Sequence, residues 1–123
     1  MTSTISSSAT SSFVETVKLD HILWKNSVYE GLLKQDFSLV QTLADHKSCR
    51  LGLWYLDSER NANFRGRPGF NELDRPHEQV HTQGRAALVA AQEGRNEEAL
   101  EHLQAMESAS LEVAGLLDKL KQA

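Results

Sequence analysis

The hexapeptide Pro76-His77-Glu78-Gln79-Val80-His81 places two imidazoles four residues apart. On a helix this spacing brings both rings to one face, one turn apart, where they can bind the same metal ion. Two further potential ligands lie upstream: His21 and the chain's only cysteine, Cys49. One thiolate and three imidazoles form a complete tetrahedral set for Zn²⁺, which accepts both donor types. Four protein ligands leave no position for a water molecule, so the pattern predicts a structural or sensing site.

A short motif surrounds each of these residues. His21 is followed three residues later by Trp24, and Cys49 opens the segment Cys49-Arg50-Leu51-Gly52-Leu53-Trp54. In this order HxxW, CxLGxW and PHxxVH resemble the chemoreceptor zinc-binding (CZB) domain family, from about Phe13 to the C-terminus. The resemblance implies one zinc ion inside a helical bundle, held by His21, Cys49, His77 and His81.

Length, charge and composition set outer limits on the function. The 123 residues make one domain, large enough to bury a core without disulfides. A net charge of −4 and a pI near 5.7 provide no basic patch and argue against a nucleic-acid partner. A single cysteine suits a reducing compartment. The chain shows neither a signal peptide nor an apolar stretch of about 20 residues, so we expect a cytoplasmic protein without membrane contact.

Hydrophobic periodicity predicts four helices, over residues 12–35, 45–58, 70–93 and 96 to the C-terminus. Ser12, Asp45 and Asn96 are the expected N-caps, and Gly94 is the expected C-cap. A short additional turn is possible over residues 39–43. Short connections make neighbouring helices antiparallel, which predicts an all-α fold, an antiparallel four-helix bundle with the zinc site in its core.

Two residues inside these helices have alternative interpretations. Pro76 either kinks the third helix, at a cost of about 3 kcal/mol, or marks the point where that helix begins. Gly52 costs about 1 kcal/mol relative to alanine inside a helix, which favours a specific reason for its presence. That reason is either close approach of a neighbouring backbone or room beside the metal.

The first twelve residues form a Ser/Thr-rich tract that buries little apolar surface. We interpret residues 1–12 as a linker, or alternatively as the end of a helix from an upstream domain, and residues 13–123 as the zinc-binding domain. The tract Phe13–Asp20 resembles the segment that joins a chemoreceptor's signalling hairpin to a CZB domain.

Other polar residues near the four ligands have ordinary interpretations. His46 precedes Cys49 by three residues but is expected at a helix start, exposed or capping. His102 follows Glu101 on the charged side of the last helix and is expected to be solvated. Zinc-bound histidines usually donate their second N–H to a carboxylate or carbonyl. Spacing alone does not choose among the nearby carboxylates, which are Asp20, Asp45, Asp74 and Glu78.

The resemblance implies a role in bacterial signalling. CZB domains are attached to chemoreceptors and to diguanylate cyclases, whose output they regulate in response to zinc or to oxidants such as hypochlorous acid. A zinc-bound Cys49 thiolate is also an oxidisable nucleophile, so zinc availability and oxidation can both act on the site. The predicted partners are a chemoreceptor signalling domain or a diguanylate cyclase, and a second copy of the chain in a homodimer. A purely structural zinc in an interaction module is the alternative.

Residues 77–81 read HEQVH, which formally matches the HExxH pattern of zinc hydrolases and raises an enzymatic alternative. Such an enzyme needs an open coordination position and a third ligand downstream. The additional ligands here lie upstream and close the site, so we expect no catalytic activity.

Overall fold

The computed structural model describes the backbone of residues 2–122 and the side chains of residues 9–121. Over that range the chain forms α-helices and one 3₁₀ turn, Asn71–Leu73, and no strand. This confirms the predicted all-α fold class. The helices are α1 (Thr2–Lys34), α2 (Leu39–Thr42), α3 (Arg50–Leu56), α4 (Asp74–Gln92) and α5 (Asn96–Gln122).

Three long helices build the bundle. A tight turn containing Gly94, whose φ of 79° is the left-handed conformation that glycine adopts readily, reverses the chain between α4 and α5. These two helices form the most extensive pair, and α1 packs against both. The Lys18 ammonium donates a hydrogen bond to the Asp118 carboxylate at 2.6 Å, and that of Lys25 donates to Glu107 at 2.8 Å. Because the later residue on α1 contacts the earlier residue on α5, these two helices run antiparallel.

The second predicted helix is much shorter than expected, and Asp45 is not its N-cap. The Asp45 carboxylate accepts hydrogen bonds from the backbone N–H groups of Lys47 (3.0 Å) and Ser48 (2.9 Å), which closes a separate turn. Cys49 is the N-cap instead, with an extended backbone (φ −75°, ψ 167°), and α3 begins at Arg50. The two short helices pack against long ones, α2 against α4 and α3 against α1.

The first helix is longer than predicted. It begins at Thr2, so residues 2–12 are helical and Ser12 is not an N-cap. Once a helix is nucleated, each further residue adds one hydrogen bond, which allows even a polar tract to continue it. Residues 2–12 therefore continue α1 without a break.

Pro76 and Gly52 each have a local explanation. Pro76 lies in the first turn of α4, where a missing N–H removes no helical hydrogen bond, so the predicted kink penalty does not arise. A Cβ on Gly52 would lie 1.9 Å from the carbonyl oxygen of His46. Gly52 is therefore required by close approach of a neighbouring backbone, the first of its two interpretations.

The core is made of apolar residues from all three long helices. Val14, Val17, Val28 and Leu88 are among its buried members, whereas Leu19, Leu100 and Leu111 are exposed. Trp54 belongs to an aromatic cluster that lies apart from the ligand residues, where its ring contacts Phe13, Phe64 and Phe70. No helix in the described part of the chain is both long and apolar enough to cross a membrane.

Candidate metal centre

Three helices bring the four predicted ligand side chains to one point in the core. His21 comes from the middle of α1, Cys49 from the N-cap of α3, and His77 and His81 from successive turns of α4. Each side chain offers one donor atom, and all four atoms lie within 4.8 Å of one another. The fold thus brings together the four residues that the family resemblance implies as ligands.

The three imidazoles are arranged around a common point rather than stacked. His77 lies edge-on to His21, with ring centroids 5.0 Å apart and planes at 87°, and edge-on to His81, at 5.0 Å and 85°. His21 and His81 are 5.5 Å apart at 77°. Rings that converge at steep angles can each direct one nitrogen to the centre without clashing.

The distances between donors suit a tetrahedral ion. The Cys49 sulfur lies 3.2 Å from Nε2 of His77. Zn–S bonds of about 2.3 Å and Zn–N bonds of about 2.0 Å separate tetrahedral ligands by roughly 3.3–3.5 Å. Donor atoms up to 4.8 Å apart thus have to move closer by at most about 1.5 Å to bind one ion, a change that two side chains can share.

The decisive observation is a pair of buried nitrogens without a partner. Nδ1 of His21 lies 2.9 Å from the Val17 carbonyl, and Nδ1 of His81 lies 2.9 Å from the Ala44 carbonyl. A carbonyl only accepts hydrogen bonds, so each Nδ1 carries the proton and each Nε2 presents a lone pair. Both Nε2 atoms are buried and have no hydrogen-bond partner. Such atoms are costly in a core unless a cation binds them.

The electrostatic surroundings keep the three imidazoles in the form that binds metal. Burial, reinforced by the neighbouring histidines, lowers the pKa of His77 to about 2. Burial likewise lowers the pKa of His81 to about 4 and depresses that of His21. All three rings are therefore neutral at pH 7, with lone pairs available to an ion.

The environment of Cys49 favours a thiolate only when a cation is close. Burial raises the pKa of the thiol, and this effect outweighs the backbone N–H groups of Gly52 and Leu51, which act in the opposite direction. A bound Zn²⁺ ion deprotonates a coordinating thiol outright. The donor set therefore fits zinc, with Cys49 providing the only negative charge among the four ligand side chains.

The two remaining histidines lie outside this cluster. Nε2 of His46 pairs with the Glu78 carboxylate at 3.4 Å, and its ring centroid is 5.8 Å from that of His77. His102 is half-buried rather than fully solvated as predicted, because Nδ1 lies 2.6 Å from the Gln83 amide oxygen. Neither ring is part of the four-residue group.

The groups that orient His21 and His81 are backbone carbonyls rather than the carboxylates considered from the sequence. Val17 and Ala44 supply these carbonyls. Asp20 instead forms an ion pair with Arg50 at 3.0 Å, which ties α1 to the start of α3. The Val17 contact follows from the i−4 spacing on α1, but the Ala44 contact links positions 37 residues apart and has no local sequence signal.

Comparison with known families agrees with the geometry. The family model described as the chemoreceptor zinc-binding domain matches residues 21–88, more than half of the chain. The chain belongs to this family. The match begins at His21 and includes Cys49, His77 and His81. No curated protein and no solved structure matches the chain.

Proposed function

We propose that this CZB domain is a cytoplasmic regulatory module of bacterial signal transduction that binds one Zn²⁺ ion through His21, Cys49, His77 and His81. The observation that carries the proposal is the pair of buried, unpartnered Nε2 lone pairs of His21 and His81, which face the same point as the Cys49 sulfur. Bound zinc holds the four side chains together and stabilises Cys49 as a thiolate. Because four protein side chains fill a tetrahedral coordination sphere, the site has no catalytic role.

Each of three helices contributes at least one ligand, so the zinc ion connects these helices. Loss of one ligand therefore changes how they are held together, which is a means of signalling. His21 is the only member of the set on α1, the helix that in this proposal connects the site to the output module. When Cys49 no longer binds, α3 is freed from the centre. The packing of α1 against α4 at His21 then changes, and α1 carries this change along the chain.

The cysteine is accessible enough to be the sensing atom. Cys49 is only partly buried, unlike the three histidines. A surface cleft of about 270 Å³ is lined by His46, Gly52 and His77 among others, and Nε2 of His77 lies 3.2 Å from the Cys49 sulfur. Cys49 itself does not line the cleft, so a small oxidant that enters it reaches the sulfur after a local movement at His77.

The oxidation step converts the ligand thiolate to a sulfenic acid. The sulfur transfers two electrons to the chlorine of hypochlorous acid, chloride leaves, and the sulfur acquires a hydroxyl group. The product has lost the charge that holds zinc most strongly. The chain contains no second cysteine to resolve it as an internal disulfide.

We expect about one equivalent of hypochlorous acid to modify Cys49 and release zinc before it damages other residues. The measurement is mass spectrometry of the zinc-loaded protein combined with a zinc-responsive dye. Met106, which is fully buried, is the internal reference for general oxidation. Oxidation of Met106 with Cys49 and zinc untouched would favour the alternative, a purely structural zinc in an interaction module.

Control of chemotaxis through a chemoreceptor signalling domain is the output we favour, since the family description names chemoreceptors. Regulation of a diguanylate cyclase is the alternative output. Both require the same response of the zinc site and differ only in the module that α1 contacts.

We also propose that the module forms a homodimer through α1. Leu19, Ile22 and Leu23 recur at helical spacing on its outer surface and are 54%, 50% and 56% exposed. An apolar stripe of this kind, on a helix that is already packed on its other side, is typical of an interface. A second copy of the same stripe covers it symmetrically.

Substitution of Leu23 by Glu is expected to shift the protein from dimer to monomer in sedimentation analysis while leaving bound zinc unchanged. The control is Leu33→Glu, at the far end of α1, where the side chain is 86% exposed. A wild-type protein that sediments as a monomer at high micromolar concentration would contradict the dimer.

A further inference from the structure

A single backbone carbonyl joins three parts of the metal centre. The Ala44 oxygen accepts one hydrogen bond from the indole Nε1 of Trp24 at 3.0 Å and a second from Nδ1 of His81 at 2.9 Å. A carbonyl has two lone pairs, and both are used here. The position of this oxygen therefore determines where the His81 ring points.

The Ala44 carbonyl lies in a segment that cannot hold its own position. It follows α2, which is four residues long and ends at Thr42. The last carbonyls of any helix have no partner within the helix, and so short a helix is not stable alone. Some other group must hold this segment against the bundle.

Besides the packing of its apolar side chains against the core, the segment is held by hydrogen bonds from Arg85. Its Nε donates to the carbonyl of Val40 at 3.1 Å, and its Nη2 donates to the carbonyl of Leu43 at 2.9 Å. Arg85 lies on α4 one turn after His81, so the two side chains share a face of that helix. One helix thus contacts the α2 segment twice, through the guanidinium and through the ligand imidazole.

No carboxylate competes for this guanidinium. Among the described side chains, Arg85 has no acidic group within 4.0 Å, in contrast to Arg50 and Arg95, which form ion pairs. The planar fork of donors on arginine suits two carbonyls at the end of a helix turn. The contacts of Arg85 are thus directed entirely at the backbone that precedes Ala44.

The indole of Trp24 completes the arrangement. Its ring centroid lies 4.4 Å from that of His81, and a Cβ on Gly84 would lie 2.5 Å from the indole. Gly84 therefore provides the space that lets Trp24 lie against the ligand and reach the Ala44 carbonyl. Trp24 on α1 and Arg85 on α4 thus both donate hydrogen bonds to backbone carbonyls of residues 40–44.

We propose that Arg85 is a positioning residue of the zinc centre, which fixes residues 40–44 so that the Ala44 carbonyl, together with Trp24, orients His81 toward the metal. The proposal rests on the proposed zinc site. Neither Arg85 nor Trp24 is a ligand, and each acts through Ala44.

The test compares two arginines that both donate to backbone carbonyls. Arg85→Gln is expected to weaken zinc binding by about tenfold or more, the usual cost of removing a group that orients a metal ligand. The control is Arg67→Gln, because Nη1 of Arg67 donates to the Leu120 carbonyl at 3.2 Å. Zinc affinity is measured by competition with a chromophoric chelator. The absorption bands of the cobalt-substituted protein report the ligand geometry directly.

A second pair of variants tests the same proposal from α1. Trp24→Phe removes the indole N–H while keeping an aromatic ring, and it is expected to weaken zinc binding and shift the cobalt bands. Its control is Tyr29→Phe, which removes a 2.6 Å hydrogen bond from the Tyr29 hydroxyl to Glu107 on the same helix. This pair decides the question if Arg85→Gln fails to fold.

The outcomes separate the positioning role from the zinc site itself. Altered cobalt bands and weaker zinc binding in Arg85→Gln and Trp24→Phe, but in neither control, support the proposal. Wild-type affinity and spectra in both variants overturn it, as does an equal loss in variants and controls. If the wild type and Cys49→Ala retain zinc equally, the proposed function fails instead.

Discussion

Replacing Cys49 or His77 by alanine is expected to lower zinc affinity by at least about 100-fold. Structural zinc sites in small peptides bind with an apparent free energy of about 10–16 kcal/mol, so one ligand of four accounts for about 3 kcal/mol. Every 1.4 kcal/mol is about a factor of ten in affinity. After dialysis against a weak chelator, metal analysis should find about one zinc per chain in the wild type and little in either variant.

The matched controls are the two histidines outside the cluster. His46→Ala and His102→Ala should retain wild-type zinc, since His46 pairs with Glu78 and His102 with Gln83. If zinc content is unchanged in both Cys49→Ala and His77→Ala, the assignment of these residues as zinc ligands is wrong. Loss of zinc in His46→Ala would place that ring among the ligands, in which case its 5.8 Å separation from His77 would have to close.

The four proposed ligand residues could be predicted because short sequence patterns around them identify them. His77 and His81 are held on one face by helical periodicity, and His21 lies on the buried side of a long helix beside Val17 and Trp24. Cys49 needed the motifs around it, since the structure places it at the end of a helix rather than on an inward-facing stripe. Family resemblance supplied what spacing alone did not.

The segment between Asp36 and Arg50 was the least predictable part of the fold. The predicted N-cap at Asp45 is a favourable residue in that role, yet its carboxylate closes a turn over Lys47 and Ser48. Both roles use the same kind of side-chain to backbone hydrogen bond, so propensity does not separate them. The contacts that place this segment, from Trp24, His81 and Arg85, are long-range.

The start of the first helix is a second case in which a local sequence signal does not decide the structure. Ser12 and Glu15 match a capping box, but a capping motif inside a continuous helix has no N–H groups to satisfy. The helix passes through it to Thr2. Whether such a motif is used depends on what precedes it, and the residues from Ser12 onward do not contain that information.

Removing zinc is expected to lower the melting temperature by about 15 °C. A ligand present at 1,000 times its dissociation constant stabilises the folded state by about 4 kcal/mol, and a domain of this size shifts by about 4 °C per kcal/mol. The physical source of the effect is the cluster itself. Without the ion, the Nε2 atoms of His21 and His81 remain buried and unpartnered.

The loosening should be centred on residues 36–58 rather than on α4. A kink at Pro76, one of its two interpretations from the sequence, would have weakened the third helix. Pro76 instead lies in the first turn of α4, where its missing N–H removes no helical hydrogen bond. The short α2 and α3 instead depend on long-range contacts. Hydrogen exchange with and without chelator should show the largest gain in this segment and the smallest in the α4–α5 pair.

The matched control for this prediction is Cys49→Ala, which has the same bundle but lacks a full ligand set. Adding chelator should lower the melting temperature of the wild type, measured by circular dichroism at 222 nm, and leave that of Cys49→Ala nearly unchanged. If the chelated wild type melts at the temperature of the zinc-loaded protein, the metal is not coupled to the fold. Loss of zinc then has no means of altering α1, and the signalling proposal fails with it.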